Sequence, residues 1–388
     1  MSLLDDRHPS TVTDYDDARR RARWRDTRLG HDWHRLRRTR VTLVRLAVVL
    51  AAVLALFAQY WVTDVAPERA RLARTEPAVL PVATPGDERN WDTVVVDLVG
   101  LGNLNAGNTA AALPALSRLG VVWAIKYDNR GIDTKVIADL IVRAALMSGL
   151  KNIVLVGHSM GGVIALEVAR HIHTGSDRRL VGVMLDCTPV DLNAVREESR
   201  TRGEDMVRWM GWLPGARESR TLRFIVEMYA RRGEFVDRGF DGALGIRLPE
   251  FRDAAERVLH DKIFSDDAAS NGLIEAQFLA IVAGGAARDL RALSRPVEGK
   301  PRPAIVFLRP RDADRDRVVD VEYSHRVLVE LAGGVDGTLL VVFPSNTGHA
   351  NPIQRSNEYN KVIVDQVLPF LLRYQRQVRE AAGSAAPR

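Results

Sequence analysis

The sequence predicts an α/β fold, in which a mostly parallel central sheet is flanked by helices, with a helical cap insertion and one N-terminal transmembrane helix. Three observations carry this reading. Short β-branched runs alternate with helix-period segments from about residue 92 to 190. The alternation stops near Asp191 and resumes at about residue 304. An uncharged apolar stretch, residues 46–62 (LAVVLAAVLALFAQYWV), follows a block of arginines. Strands alternating with helices require crossover connections, and these generate parallel pairing.

The elements follow in chain order. Strand-like runs are read at 92–100 (DTVVVDLVG), 121–127 (VVWAIKY), 152–157 (NIVLVG) and 180–185. Helix spacing appears at 135–149 and again at 160–173. Between Asp191 and Pro303 the pattern is mostly helical, as at 221–231 and 273–282. Strand character returns at 304–308 and 338–343, and 360–379 reads as a closing helix.

This gives a domain plan: a basic cytoplasmic segment at 1–40, a transmembrane signal-anchor at 41–62 and a linker at 63–90. The α/β core then occupies 91–190 and 304–380 around a helical cap at 191–303, with a tail at 381–388. The linker reading rests on Pro67, Pro77, Pro81 and Pro85 among scattered charges. The anchor reaches the roughly 20 residues that span a bilayer. Arg45 lies one turn from its basic end, and Tyr60 and Trp61 stand at the other end as interfacial aromatics do.

Arg19, Arg20, Arg21 and seven further arginines between residues 23 and 40 precede the apolar run, which places the N-terminus in the cytoplasm and the rest of the chain outside. The same cluster beside an apolar helix favours anionic lipid over nucleic acid as a partner. A cleaved signal peptide fits less well, because about 40 residues precede the apolar run and no small-x-small cleavage site follows it. The localisation expected is therefore the cell membrane, single-pass, with the folded domain extracytoplasmic. One cysteine, Cys187, excludes an internal disulfide.

The chemistry concentrates at Gly157-His158-Ser159-Met160-Gly161-Gly162. This motif follows the strand NIVLV and opens a helix, the setting of a nucleophile elbow. A serine on so sharp a turn leaves no room two positions before or after it, hence Gly157 and Gly161. The helix N-terminus behind it offers free N–H groups to a developing oxyanion.

GHSMGG resembles the elbow of the α/β-hydrolase family, and the likeness extends over about residues 91–379. The family resemblance implies a helical cap where residues 191–303 lie. Asp128-Asn129-Arg130-Gly131 is similar to the family's structural Asp-x-Arg-Gly turn.

A serine hydroxyl needs a base. The family carries its base in a Gly-His of the kind seen in Phe343-Pro344-Ser345-Asn346-Thr347-Gly348-His349, which implies His349. The acid should lie between strand 304–308 and His349. Asp316-Arg317-Val318-Val319 matches the family's Asp-x-Val-Val, while Asp314, Asp312 and, after the preceding strand, Asp186 remain alternatives. Oxyanion donors are expected from Met160 and, in the loop Val99-Gly100-Leu101-Gly102-Asn103, from Leu101. The family usually has His-Gly at Val99-Gly100, and this chain lacks that histidine. His158 is expected to point away from the serine hydroxyl, and His171, His173, His260 and His325 to be solvated. Asp97, in a buried run, has no evident partner in the sequence.

No cluster of ligand-type residues shows metal spacing, and no phosphate or dinucleotide loop is present, so no metal and no cofactor are expected. The reading is a membrane-anchored extracytoplasmic serine hydrolase of the esterase, lipase or thioesterase kind. It would act on a small-molecule or lipid acyl substrate, with no nucleic acid partner. An acyltransferase on the same residues and a catalytically silent binding or assembly module are the alternatives. The orientation is testable: an export-dependent reporter fused after Arg388 should be active, and activity of a cytoplasm-only reporter there would reject it.

Overall fold

A computed structural model describes residues 23–24, 26–85, 92–238, 244–295, 297, 300–334 and 337–384. The three leading arginines Arg19, Arg20 and Arg21, and residues 385–388 of the tail, lie outside the described residues, as do residues 86–91 of the linker and core boundary.

The chain divides into two units, residues 1–63 and 64–388. The first contains helix α1 (Arg37–Tyr60), whose apolar residues are exposed along its length. The continuous helical stretch Thr39–Leu72 is long and apolar enough to cross a membrane by length and composition.

The second unit opens with α2 (Ala66–Leu72) and β1 (Ala78–Ala83), where a linker is expected. β1 pairs antiparallel with β3 (Val121–Lys126) at the edge of the main sheet. The prolines that suggest a linker are compatible with this position, since an edge strand has N–H groups that need no ladder partner. Pro81 itself lies in β1 and is exposed.

The sheet has seven strands in the order β1-β3-β2-β4-β5-β8-β9, with β2 (Thr93–Leu98), β4 (Asn152–His158), β5 (Arg179–Asp186), β8 (Ala304–Leu308) and β9 (Leu339–Val342). Every pairing but that of β1 is parallel. β2, β4 and β8 are buried along their whole length, as in a sheet covered on both faces. This explains their continuous valine and isoleucine runs; each such side chain gains about 1.5–3 kcal/mol on burial.

Crossovers are made by α3 (Gly107–Ala112), α4 (Thr134–Met147) and α5 (Met160–Gly175). α5 lies under the sheet's centre, in contact with β4 and β5. His173, expected to be solvated, is fully buried in its last turn.

The insertion carries α6 (Glu197–Trp212), α7 (Arg220–Ala230), α8 (Leu248–Val258), α9 (Asn271–Val282) and α10 (Ala286–Leu293). Beside the mostly helical pattern that is expected, it also has an antiparallel ribbon, β6 (Val236–Arg238) with β7 (Leu244–Ile246). After β8 the core closes with α11 (Val321–Ala332), α12 (Ser356–Val362) and α13 (Leu368–Ser384).

Asp64 ties the insertion to the start of this unit. Its carboxylate accepts from Ser219 Oγ at 2.6 Å and from the backbone N–H of Arg220 at 3.0 Å, capping α7. Removing such a cap costs about 1 kcal/mol. Asp64→Ala should therefore lower the melting temperature by a few degrees, and an unchanged midpoint in thermal denaturation would show the cap to be dispensable.

Candidate functional site

β4 ends at His158, and Ser159 turns the chain into α5 with φ 53° and ψ −123°. A non-glycine residue here is strained, and the strain persists only where its surroundings fix it. They do so by close approach. A Cβ on Gly157 would stand 2.5 Å from the carbonyl oxygen of Gly161, and one on Gly161 would stand 2.4 Å from that of Leu98. The Ser159 N–H also donates to the Asp186 carbonyl at 2.7 Å, binding the turn to β5.

The loop after β9 brings His349 to this serine. Its Nε2 lies 2.8 Å from Ser159 Oγ, and its Nδ1 lies 2.9 Å from Asp316 Oδ2. A carboxylate only accepts, so Nδ1 donates to Asp316 and Nε2 is left to accept the serine proton. Asp316 is fully buried, and its other oxygen accepts from the N–H groups of Val318 at 2.9 Å and Val319 at 2.8 Å. These are the two valines of the Asp-x-Val-Val match.

Of the four candidate acids, only Asp316 reaches His349. Asp312 accepts from the N–H of Asp314 in a short turn, and the Asp314 side chain is 93% exposed. Arg196, at the head of the insertion, fixes the acid loop from outside. It donates from Nε to the Asp316 carbonyl at 2.6 Å and from a terminal nitrogen to that of Ala313 at 2.9 Å.

Asp186 belongs to a second network, and so does Asp97. His158 points into the core, with Nδ1 2.8 Å from Asp186 Oδ2. Its Nε2 stands 3.1 Å from Asp97 Oδ1 without hydrogen-bond alignment, so this contact is chiefly Coulombic. Tyr359 donates its hydroxyl to the remaining Asp186 oxygen at 2.9 Å. Burial opposes a charge on His158, but the two carboxylates outweigh it and push the pKa up to about 10. His158 is therefore an imidazolium held between Asp97 and Asp186, which supplies the partner that the sequence does not reveal for Asp97.

The loop after β2 lies against the elbow. A Cβ on Gly100 would be 2.9 Å from the His158 carbonyl oxygen and 3.3 Å from Ser159 Cβ. Tyr127 holds the loop's start by donating to the Val99 carbonyl at 3.0 Å. Gln277, from α9 and fully buried, holds its end. The Gln277 Oε1 accepts from the Gly102 N–H at 2.8 Å, and its Nε2 donates to the Asn103 carbonyl at 2.9 Å. The N–H groups of Leu101 and Met160 have no acceptor among the described residues. No pattern in the sequence singles out Gln277, because it lies 174 residues from the loop it holds.

Ser159 and His349 open into a cavity of about 630 Å³. Its walls include Met206, Val226, Ile274, Phe278 and Ile353, with Arg202, Arg223 and Glu227 among them. Cys187 is buried beside the acid and donates weakly to the Gly348 carbonyl at 3.5 Å. Burial and the neighbouring carboxylates push its thiol well above the ordinary range, so it offers no thiolate at neutral pH. Cys187, Asp316 and His349 bring ligand-type atoms within 4.8 Å of one another. Both His349 nitrogens are already engaged, so a metal there would have to displace Asp316 or Ser159.

This is the fold and arrangement of an α/β hydrolase. The model of the alpha/beta hydrolase family matches residues 60–362, and the chain belongs to that family. Similar solved structures include a carboxylesterase of Nitrososphaera gargenis (14% identity, 78% of this chain and 97% of that one, TM-score 0.47). A membrane phospholipase A, described as a bacterial virulence factor, is 20% identical over 87% of this chain and 99% of its own, with TM-score 0.45. The monoacylglycerol lipase of Paleococcus ferrophilus is 17% identical over 76% of this chain and 99% of its own, again at 0.45. No curated protein matches the sequence.

The His158 network makes a prediction about stability. Its folded pKa lies above the roughly 6.5 of an unfolded histidine, so its contribution is complete below that pH and is lost as pH rises through about 10. The buried Cys187 and tyrosines enter only above about 8.5. Chemical denaturation between about pH 6.5 and 8.5 should thus show falling stability, with a slope approaching one proton. A flat profile would mean that His158 folds neutral.

Proposed function

We propose that this chain is a membrane-anchored, extracytoplasmic serine hydrolase that cleaves an ester or thioester of lipid-like character. The observation that carries the reading is the unbroken relay from Ser159 Oγ through His349 to a buried Asp316. The substrate carbonyl enters beside Ser159. His349 Nε2 takes the hydroxyl proton as Oγ bonds to the carbonyl carbon, and Asp316 stabilises the imidazolium that forms. The N–H groups of Met160 and Leu101 receive the oxyanion. Collapse expels the alcohol or thiol, which leaves with the proton from Nε2. Water, deprotonated by the same nitrogen, then releases the acid.

The mainly apolar cavity wall supports an acyl chain as its occupant. The insertion also exposes Trp209, Trp212, Ile225 and Tyr229, which suits work near lipid. The length and apolar composition of the helical stretch Thr39–Leu72 support the anchor.

A fluorophosphonate should add one phosphonyl group to the wild type, with loss of fluoride, and none to Ser159→Ala. Ester turnover should fall by about 10⁶ in that variant. Asp316→Asn, which permits the wrong histidine tautomer, should cost about 10⁴ in kcat, with Asp314→Asn and Asp312→Asn far milder. Labelling that persists on Ser159→Ala would sink the mechanism.

Gln277 is a positioning residue in this scheme. Gln277→Ala should lower kcat by at least about tenfold at nearly constant KM, since loss of a full oxyanion donor costs about 10²–10³. A trifluoromethyl ketone, which mimics the tetrahedral state, should lose affinity in parallel. A merely structural Gln277 would lower the melting temperature and leave that affinity unchanged.

A further inference from the structure

Three charged side chains line the cavity outside the Ser159 and His158 networks: Arg202, Arg223 and Glu227. Arg202 is exposed and pairs with the equally exposed Glu198, so it is accounted for. Arg223 is different. Its side chain is only 11% exposed, and it projects from α7 one turn before Glu227, whose Oε1 lies 2.6 Å from one terminal nitrogen. The Arg223 Nε is buried and has no hydrogen-bond partner among the described residues.

Glu227 does not belong to Arg223 alone. Its other oxygen is bonded to Arg231. Two guanidinium groups therefore share one carboxylate, so Glu227 neutralises Arg223 only in part.

A guanidinium presents five donors in a planar fork. Here one of them, the Nε–H, is buried without a partner among the described residues, and an unsatisfied buried donor costs about 1–3 kcal/mol. A pair kept for stability alone would be closed, because breaking or under-satisfying a buried pair is strongly destabilising. Burial depresses the Arg223 pKa in spite of Glu227, which marks a cation held where water does not compensate it. Around it the wall is apolar, with Val226, Ile274 and Phe278. The fork geometry suits a planar carboxylate or a phosphate, which takes two parallel hydrogen bonds.

We infer that Arg223 is an anion subsite of this cavity, and that the substrate is an ester bearing a phosphate or carboxylate group apart from the scissile bond. The substrate statement rests on the hydrolase reading above; the anion subsite itself does not.

Two measurements on the full-length protein in detergent test it separately. In the Ser159→Ala variant, calorimetry with sn-glycerol 3-phosphate should show binding that glycerol does not, and Ser159→Ala/Arg223→Gln should bind at least about tenfold more weakly. The hemisuccinate of glycerol replaces phosphate by carboxylate in the same assay and identifies which anion the fork prefers. In the active protein, 1-acylglycerol 3-phosphate should exceed 1-acylglycerol in kcat/KM by about tenfold or more, mainly through KM. That ratio should collapse toward one in Arg223→Gln. It should rise in Glu227→Gln, which removes the competing carboxylate while a purely structural pair would only be weakened. Arg223→Lys serves where the glutamine variant does not fold, since it keeps the charge and loses the fork.

Equal binding of the anions and glycerol, or a ratio unmoved by Arg223→Gln, would overturn the subsite. Anion binding with hydrolysis of neither ester would instead overturn the hydrolase reading and leave the subsite standing.

Discussion

The site depends on one constraint: a serine must be held in a left-handed conformation at the end of a fully buried strand. Ser159 cannot relax, because the backbone of the β2 loop and the first turn of α5 occupy the space around it. Behind it the chain is fixed electrostatically. His158, protonated between Asp97 and Asp186, links the carboxyl ends of β2, β4 and β5 through side chains alone. Replacing His158 would leave two uncompensated carboxylates in the interior, at about 3–5 kcal/mol. The network is therefore a specification of geometry as much as a source of stability. It sets the relative position of three strand ends from which Ser159, the Leu101 loop and Cys187 all depart.

The insertion is coupled to this geometry at three separate points. Gln277 grips the loop after β2, Arg196 grips the loop that carries Asp316, and Asp64 caps the helix bearing Arg223 and Glu227. Each contact joins a polar side chain to backbone groups across the boundary between insertion and core, which fixes a position without a large buried area. A cap attached in this way does more than cover the cavity. A shift of α9 by one ångström would move the Gly102 N–H and, beside it, the Leu101 N–H that is proposed as an oxyanion donor; such donors act only when they are already aimed.

Much of this was legible in the residues. The alternation of strands and helices, the break at Asp191, the GHSMGG elbow and the Gly-His loop all have local patterns, and the structure places Ser159, His349 and Asp316 together. The choice among Asp312, Asp314 and Asp316 was open because all three share one short loop, and only burial and the bonds from Val318 and Val319 separate them. Asp97 and Gln277 were illegible for a different reason. Their partners lie 61 and 174 residues away, and a side chain's partner across a fold leaves no periodicity. Residues 63–90 misled through their prolines, since composition does not distinguish an edge strand from a linker.

The distribution of strain points to the same place from an independent direction. Four non-glycine residues among those described have a positive φ: Ser159, Cys187, Asn346 and Ala350. Ser159 follows β4, Cys187 follows β5, and Asn346 and Ala350 flank His349 in the loop after β9. Each such conformation costs on the order of 1–3 kcal/mol and survives only where the surroundings over-determine it. No helix or strand interior carries one. All four follow the carboxyl ends of parallel strands of one sheet, β4, β5 and β9, the edge where open α/β sheets present their ligand sites. Ala350 directly follows His349, and Cys187 donates to the carbonyl of Gly348, so the strained residues touch one another's loops. Strain gathered around one serine and one histidine is what pre-organisation of a reaction requires.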